Sequence, residues 1–141
     1  MGYSESLEAA GAKVIAYKQF GSYQGDWAAF VELNGEKVVI TGSYGSCSGC
    51  DAFEAEFSWG DQPEERDGKY YYNYDEVTKE EFDQKTLEYN NKLSEFGASY
   101  LRNPSTKDIL QTRLENLKKE DWFSEEEREM VEWCLKQFET N

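Results

Sequence analysis

The stretch Trp27-Ala28-Ala29-Phe30-Val31-Glu32-Leu33-Asn34-Gly35-Glu36-Lys37-Val38-Val39-Ile40 decides the fold. Asn34-Gly35 is the preferred pair for a two-residue type I′ hairpin turn, because both central positions need positive φ. Folding the chain there sets Glu32 opposite Lys37, Val31 opposite Val38 and Phe30 opposite Val39. One opposite-charge pair and two apolar pairs thus fall into a single register and support one another. Side chains alternate across a strand. Trp27, Ala29, Val31, Leu33, Val38 and Ile40 therefore share one face, which reads as core, while Phe30 and Val39 share the other with Glu32, Lys37 and Thr41. Upstream, Lys13 to Phe20 reads as a further strand, joined through the turn-like Gly21-Ser22-Tyr23-Gln24-Gly25. The expectation is an antiparallel meander of three or four strands.

Downstream the period changes. Thr78 and Glu81 form a capping box, with Val77 and Phe82 placed as the hydrophobic staple that fixes chain entry. Phe82, Thr86, Tyr89, Leu93, Phe96 and Tyr100 then recur at spacings of about three and four residues, which marks one face of a long helix. Gly97 reads as the left-handed cap that ends it, leaving Tyr100 just beyond. Asn103-Pro104-Ser105-Thr106 offers a cap and a first-turn proline for a helix carrying Leu110, Leu114 and Leu117. Ser124 and Glu127 form a second capping box ahead of Met130, Val131, Cys134, Leu135 and Phe138. A sheet followed by three helices, the long one packed on the sheet, is an α+β fold.

A chain of 141 residues is one domain's worth. The expected layout is a single domain over 1–141: a sheet-rich region over 1–59, an acidic, tyrosine-bearing linker over 60–74 and a helical region over 75–141. The 22 aromatic side chains (4 Trp, 10 Tyr, 8 Phe) can fill a core despite a polar composition. There is no histidine, so a Ser-His-Asp or Cys-His site cannot form within one chain. The net charge of -14 opposes direct contact with nucleic acid. No run approaches a membrane span, and residues 1–8 lack a secretion signature, so a cytoplasmic protein with reduced thiols is expected.

Gly42-Ser43-Tyr44-Gly45-Ser46-Cys47-Ser48-Gly49-Cys50-Asp51 is a loop of small residues holding a Cys-x-x-Cys pair. Cys47 and Cys50 are candidate zinc ligands or a candidate disulfide. Zinc would need more ligands, since Cys134 is distant and sits on an apolar helix face. The plainer reading is two small residues in a tight turn, with no cofactor. Asp51 and Glu54 can cap a short helix through Phe57, yet the alternation of Phe53, Ala55, Phe57 and Trp59 fits a strand equally well. The loop is not a phosphate loop, for it lacks the Walker lysine. Gly21-Ser22-Tyr23 and Gly42-Ser43-Tyr44 bracket the hairpin and fall at one end of the sheet. Tyr23, Tyr44, Ser46 and Ser48, with Tyr3 or Tyr17, are therefore candidates for an aromatic-walled ligand pocket.

The acidity is concentrated. Residues 51–141 carry 24 acids and 12 bases, and 51–83 alone carry 12 acids and 3 bases, with aromatics running through them. Such density costs stability by self-repulsion and matches the potential of a basic nucleic-acid-binding groove. Glu54, Glu56, Asp61, Glu64, Glu65, Asp67, Tyr71 and Tyr72 are the candidate contacts, and the expected partner is a basic, nucleic-acid-handling protein.

The strings Gly21-Ser22-Tyr23-Gln24-Gly25-Asp26-Trp27 and Tyr44-Gly45-Ser46-Cys47-Ser48-Gly49-Cys50-Asp51-Ala52-Phe53-Glu54-Ala55-Glu56-Phe57 resemble a group of small uncharacterised bacteriophage and prophage proteins. The resemblance spans about residues 13–59. It implies a viral context and the cytoplasm of a bacterial host. It raises the expectation of an inhibitor of a host nuclease or CRISPR-type defence protein, and it carries no catalytic or binding residue across. The combined expectation is a non-catalytic acidic inhibitor, with a small-ligand or metal-binding module on the Cys-x-x-Cys loop as the alternative.

Overall fold

The computed structural model describes residues 2–46, 51–57, 61–119 and 125–141. The chain is α+β. Helix α1 (Tyr3–Ala9) leads into strands β1 (Lys13–Gly21), β2 (Gly25–Leu33) and β3 (Glu36–Tyr44). These form one antiparallel sheet in the order β1-β2-β3. The hairpin register is the one that Asn34-Gly35 dictates: Glu32 faces Lys37, Val31 faces Val38 and Phe30 faces Val39. Asn34 (φ 53) and Gly35 (φ 83) both sit in the left-handed region, as a type I′ turn requires.

Both faces of this sheet are buried. On the first, Trp27, Ala29, Val31, Val38 and Ile40 meet Tyr3 and Leu7 of α1. Phe96 and Tyr100, from the long helix α3 (Lys79–Tyr100), pack on the same cluster. On the second, Ala28, Phe30 and Val39 are covered by Leu110 and Leu117 of α4 (Lys107–Leu117) and by Met130, Val131 and Cys134 of α5 (Glu125–Thr140). Phe30 and Val39 are each 0% exposed, so the face shared with Glu32, Lys37 and Thr41 is a second core. Burial pushes the Cys134 thiol up to about 12.

Three local expectations are corrected. Gly97 does not end its helix, for α3 runs on to Tyr100. A Cβ at Gly97 would stand 1.8 Å from the Ser6 carbonyl oxygen, so this glycine lets α1 and α3 touch backbone to backbone. The cap of α4 is Thr106, whose hydroxyl accepts from the Ile109 N–H at 3.4 Å. Pro104 therefore precedes the helix. Beside it, Ser105 exchanges two backbone hydrogen bonds with Val39, at 2.9 and 2.8 Å, on the outer edge of β3. Residues 60–74, expected as a linker, contain strands instead: β4 (Glu64–Arg66) and β5 (Lys69–Tyr72), completed by β6 (Asp75–Val77) into a second antiparallel meander.

The second meander and the first turns of α3 form an arm. Thr78 caps α3 as its sequence predicts, its hydroxyl accepting from the Glu81 N–H at 3.2 Å. Tyr70 lies on Phe82 with ring centroids 4.8 Å apart, holding the meander against the helix. From Asp61 to Lys92 no residue is buried. Leu93 and Gly97 are the first residues of α3 to enter the core.

Candidate functional site

The structure divides the candidate residues into three places. The first is the loop after β3. Residues 51–57 resolve as a short helix, α2 (Ala52–Glu56), rather than a strand. Asp51 caps it, one carboxylate oxygen accepting from the Glu54 N–H at 2.9 Å. The other oxygen accepts from the Tyr3 hydroxyl at 2.8 Å and the Gly45 N–H at 2.9 Å. Asp51 is only 2% exposed, and three donors satisfy its buried carboxylate. Burial, and then the nearby Asp51, keep the Tyr3 phenol from ionising until well above the ordinary range. Both ends of the Gly-Ser-Cys loop are thereby tied down.

Among the described residues, the candidates for a pocket at that end of the sheet differ in their settings. Gly21, Gly25 and Tyr44 do share one end, as expected. However, Tyr44 is buried and its hydroxyl donates to the Phe20 carbonyl at 2.9 Å, while Tyr23 is 82% exposed. Tyr3 is 0% exposed within the core and Ser46 lies at the surface. Cys47, Ser48 and Cys50 lie outside the described residues, as does the Ser124 cap. Among the described residues, no group of three or more His, Cys, Asp or Glu side chains could hold a metal ion.

The second place is a groove of about 170 Å³ between β5, α3 and Asp61, lined by Asp61, Tyr72, Lys85, Glu88, Tyr89 and Lys92. Its cations are already engaged. The Lys85 ammonium lies 5.0 Å from the centre of the Tyr72 ring and pairs with Glu88 at 3.4 Å. A hydrogen bond from Gln84, then the Lys85 charge, hold the Glu88 carboxyl below its ordinary range. Lys92 pairs with Asp61 at 3.8 Å, lies 4.8 Å from the centre of the Phe57 ring and donates to the Glu56 carbonyl. Sequence reasoning missed Lys85, Tyr89 and Lys92. Their spacings of four and three residues along α3 placed them on one side of the helix, but nothing in the sequence marked β5 as its neighbour.

The third place is the surface of the second meander. Glu64, Tyr71 and Glu76 are direct cross-strand neighbours and share a face; Glu65, Tyr70 and Val77 share the opposite one, turned to α3. Tyr71 and Tyr72 therefore point to opposite sides. Asp67, at φ 51, sits in the Asp67-Gly68 turn. Glu54 and Glu56 are on α2. The eight candidates do not form a single patch.

What the arm does achieve is segregation of charge. Nine of the 12 acids in residues 51–83 are exposed; only Asp51 is buried. Of the three bases in the same stretch, Lys69 is exposed, while Arg66 lies over Tyr71 at 4.5 Å and pairs with Glu64 at 3.4 Å, and Lys79 lies over Tyr70 at 5.7 Å and pairs with Asp83 at 3.4 Å. A cation over an aromatic face is attracted by the ring quadrupole. Carboxylates thus outnumber cations on the outward surface. Comparison with known protein families, curated proteins and solved structures finds no match to this chain. No helix among the described residues is long and apolar enough to cross a membrane.

Proposed function

We propose that the protein is a non-catalytic inhibitor that binds a basic, nucleic-acid-handling protein of a bacterial host, such as a nuclease or a CRISPR-type defence protein, through the carboxylates of its arm. The observation that carries this reading is the arm's construction. Residues 61–92 contribute nothing buried to the core, yet they hold an ordered, densely acidic surface on which Arg66, Lys79 and Lys85 lie over tyrosine rings. Charge at this density opposes folding and favours fast association with a surface of opposite potential. Negative potential spread over a folded scaffold presents to such a groove what nucleic acid presents, without a phosphate to cleave.

The test is capture of partners from a bacterial lysate, at about 50 mM and again at about 500 mM salt, because surface charge is screened within a few ångströms at the higher value. Capture is expected at low salt and lost at high salt. A variant with Glu64, Glu65, Asp75 and Glu76 all changed to lysine should capture nothing while its circular dichroism stays that of the parent, since all four side chains are exposed and none sits at positive φ. Capture that survives these four changes removes the proposal.

A further inference from the structure

Among the described residues, three hairpin turns place two consecutive residues at positive φ, and one of them is built against its own chemistry. Asn34-Gly35 and Asp67-Gly68 put glycine at the second position, with φ 83 and 76. Asn73-Tyr74, between β5 and β6, puts tyrosine there at φ 69. A bulky side chain is rarely held in this region, and such strain tends to persist where function requires it. Tyr74 is 77% exposed. Unlike Tyr70, Tyr71 and Tyr72, it has no ring or cation contact among the described residues. The two residues that follow, Asp75 and Glu76, are exposed and make no ion pair among the described residues.

We propose that Tyr74 is the anchor by which the arm holds its partner, and that it receives an arginine side chain of that partner, stacked on the ring and bonded to Asp75 or Glu76. This rests on the reading of the arm as a surface for a basic protein and names its central contact. The arm supplies the precedent, since each neighbouring tyrosine carries a cation of this chain on its face and Tyr74 leaves that place open. Arginine fits better than lysine because its planar fork stacks on a ring and bridges a carboxylate at once. Exposed tyrosines with a few fixed rotamers are also the residue type that dominates contact energy at interfaces.

Tyr74→Gly separates function from fold, because glycine suits the turn and removes only a ring that is 77% exposed. The probe is a blocked octapeptide of alternating arginine and glycine, titrated into ¹⁵N-labelled protein, with lysine and serine versions as comparisons. Shifts centred on residues 73–76, and affinity for the arginine peptide about fivefold or more above that of Tyr74→Gly, are expected. Tyr74→Phe should bind like the parent, and the Tm of Tyr74→Gly should be no lower. Equal binding by Tyr74→Gly and parent overturns the anchor, and so does a lysine or serine peptide that binds as tightly as the arginine one. Either result leaves the lysate capture and its loss in the four-lysine variant free to support the acidic surface. Failure of that capture would instead remove the surface reading itself.

Discussion

The sandwich and the arm are made from the same chain by opposite rules. In the sandwich, β2 is buried from Trp27 to Val31, with an aromatic cluster beneath it and α4 and α5 above. In the arm, three short strands and over three turns of helix bury no residue at all. Burial of apolar area is what stabilises a domain, so the first region holds the fold and the second is carried by it. The lesson is that local order does not require a core of its own. Tight turns, a capped helix and rings packed on rings and cations suffice to shape a surface that a large foundation supports.

The sharpest way to break this contrast is at Gly97. Gly97→Ala drives a methyl group into the Ser6 backbone, 1.8 Å from its carbonyl oxygen. Neither helix backbone can yield cheaply, so a loss of about 3 kcal/mol in urea unfolding is expected. The arm, which is carried on α3, should loosen together with α1. Asp51→Ala comes next. It strips the Tyr3 hydroxyl and the Gly45 and Glu54 amides of their common acceptor, at about 2 kcal/mol for leaving buried donors unpaired. Asp51→Asn, which keeps an acceptor oxygen, should recover part of that loss.

Alkaline titration weighs most heavily on the sandwich, although burial also raises the Tyr89 phenol of the arm. The Cys134 thiol is raised from 9.0 to about 12 in the folded protein, and Tyr3 is likewise raised by burial from 10.0. The unfolded chain therefore loses these protons first. Their contribution to stability is full below pH about 9 and falls as pH rises toward 12. In a Cys47→Ser/Cys50→Ser variant, iodoacetamide should accordingly leave Cys134 unmodified at pH 8 until the protein unfolds. Alkylation at the rate of a free thiol would show that the second core opens locally.

Smaller effects belong to the arm. Amides of β5 and β6 should exchange with deuterium far sooner than those of β2, because opening the arm exposes little apolar area. Phe82→Ala, which removes the ring beneath Tyr70, should hasten exchange from Glu64 to Val77 and leave the Tm within about 2 °C. Exchange of arm and sandwich at one common rate would mean that the two regions unfold as a unit and that the contrast is only apparent.

Sequence and structure agree where local chemistry decides the outcome. The Asn34-Gly35 turn fixed its register through pairs that only one alignment satisfies, and the Thr78 box set the start of α3. The misreadings share a different cause. Gly97 has the residue type of a helix cap, and only the approach of α1, too short at seven residues to show a clear period, turns it into a packing contact. Residues 64–77 have strand-like tyrosines but no alternating apolar face to bury, so their pairing shows only in the Asp67-Gly68 and Asn73-Tyr74 turns. The candidate contacts were legible as composition and illegible as geometry. Which carboxylates share a side depends on cross-strand partners that charge counts do not specify.

The bond pair between Ser105 and Val39 has a consequence for how copies of this protein meet. A sheet polymerises only if both of its lateral edges can accept a newcomer. Here the middle of β3 is already taken by Ser105, whereas β1 has no backbone hydrogen bond along its outer side among the described residues. Two molecules joined at β1 would each turn a blocked strand outward. Association of this sheet by that route would stop at a pair.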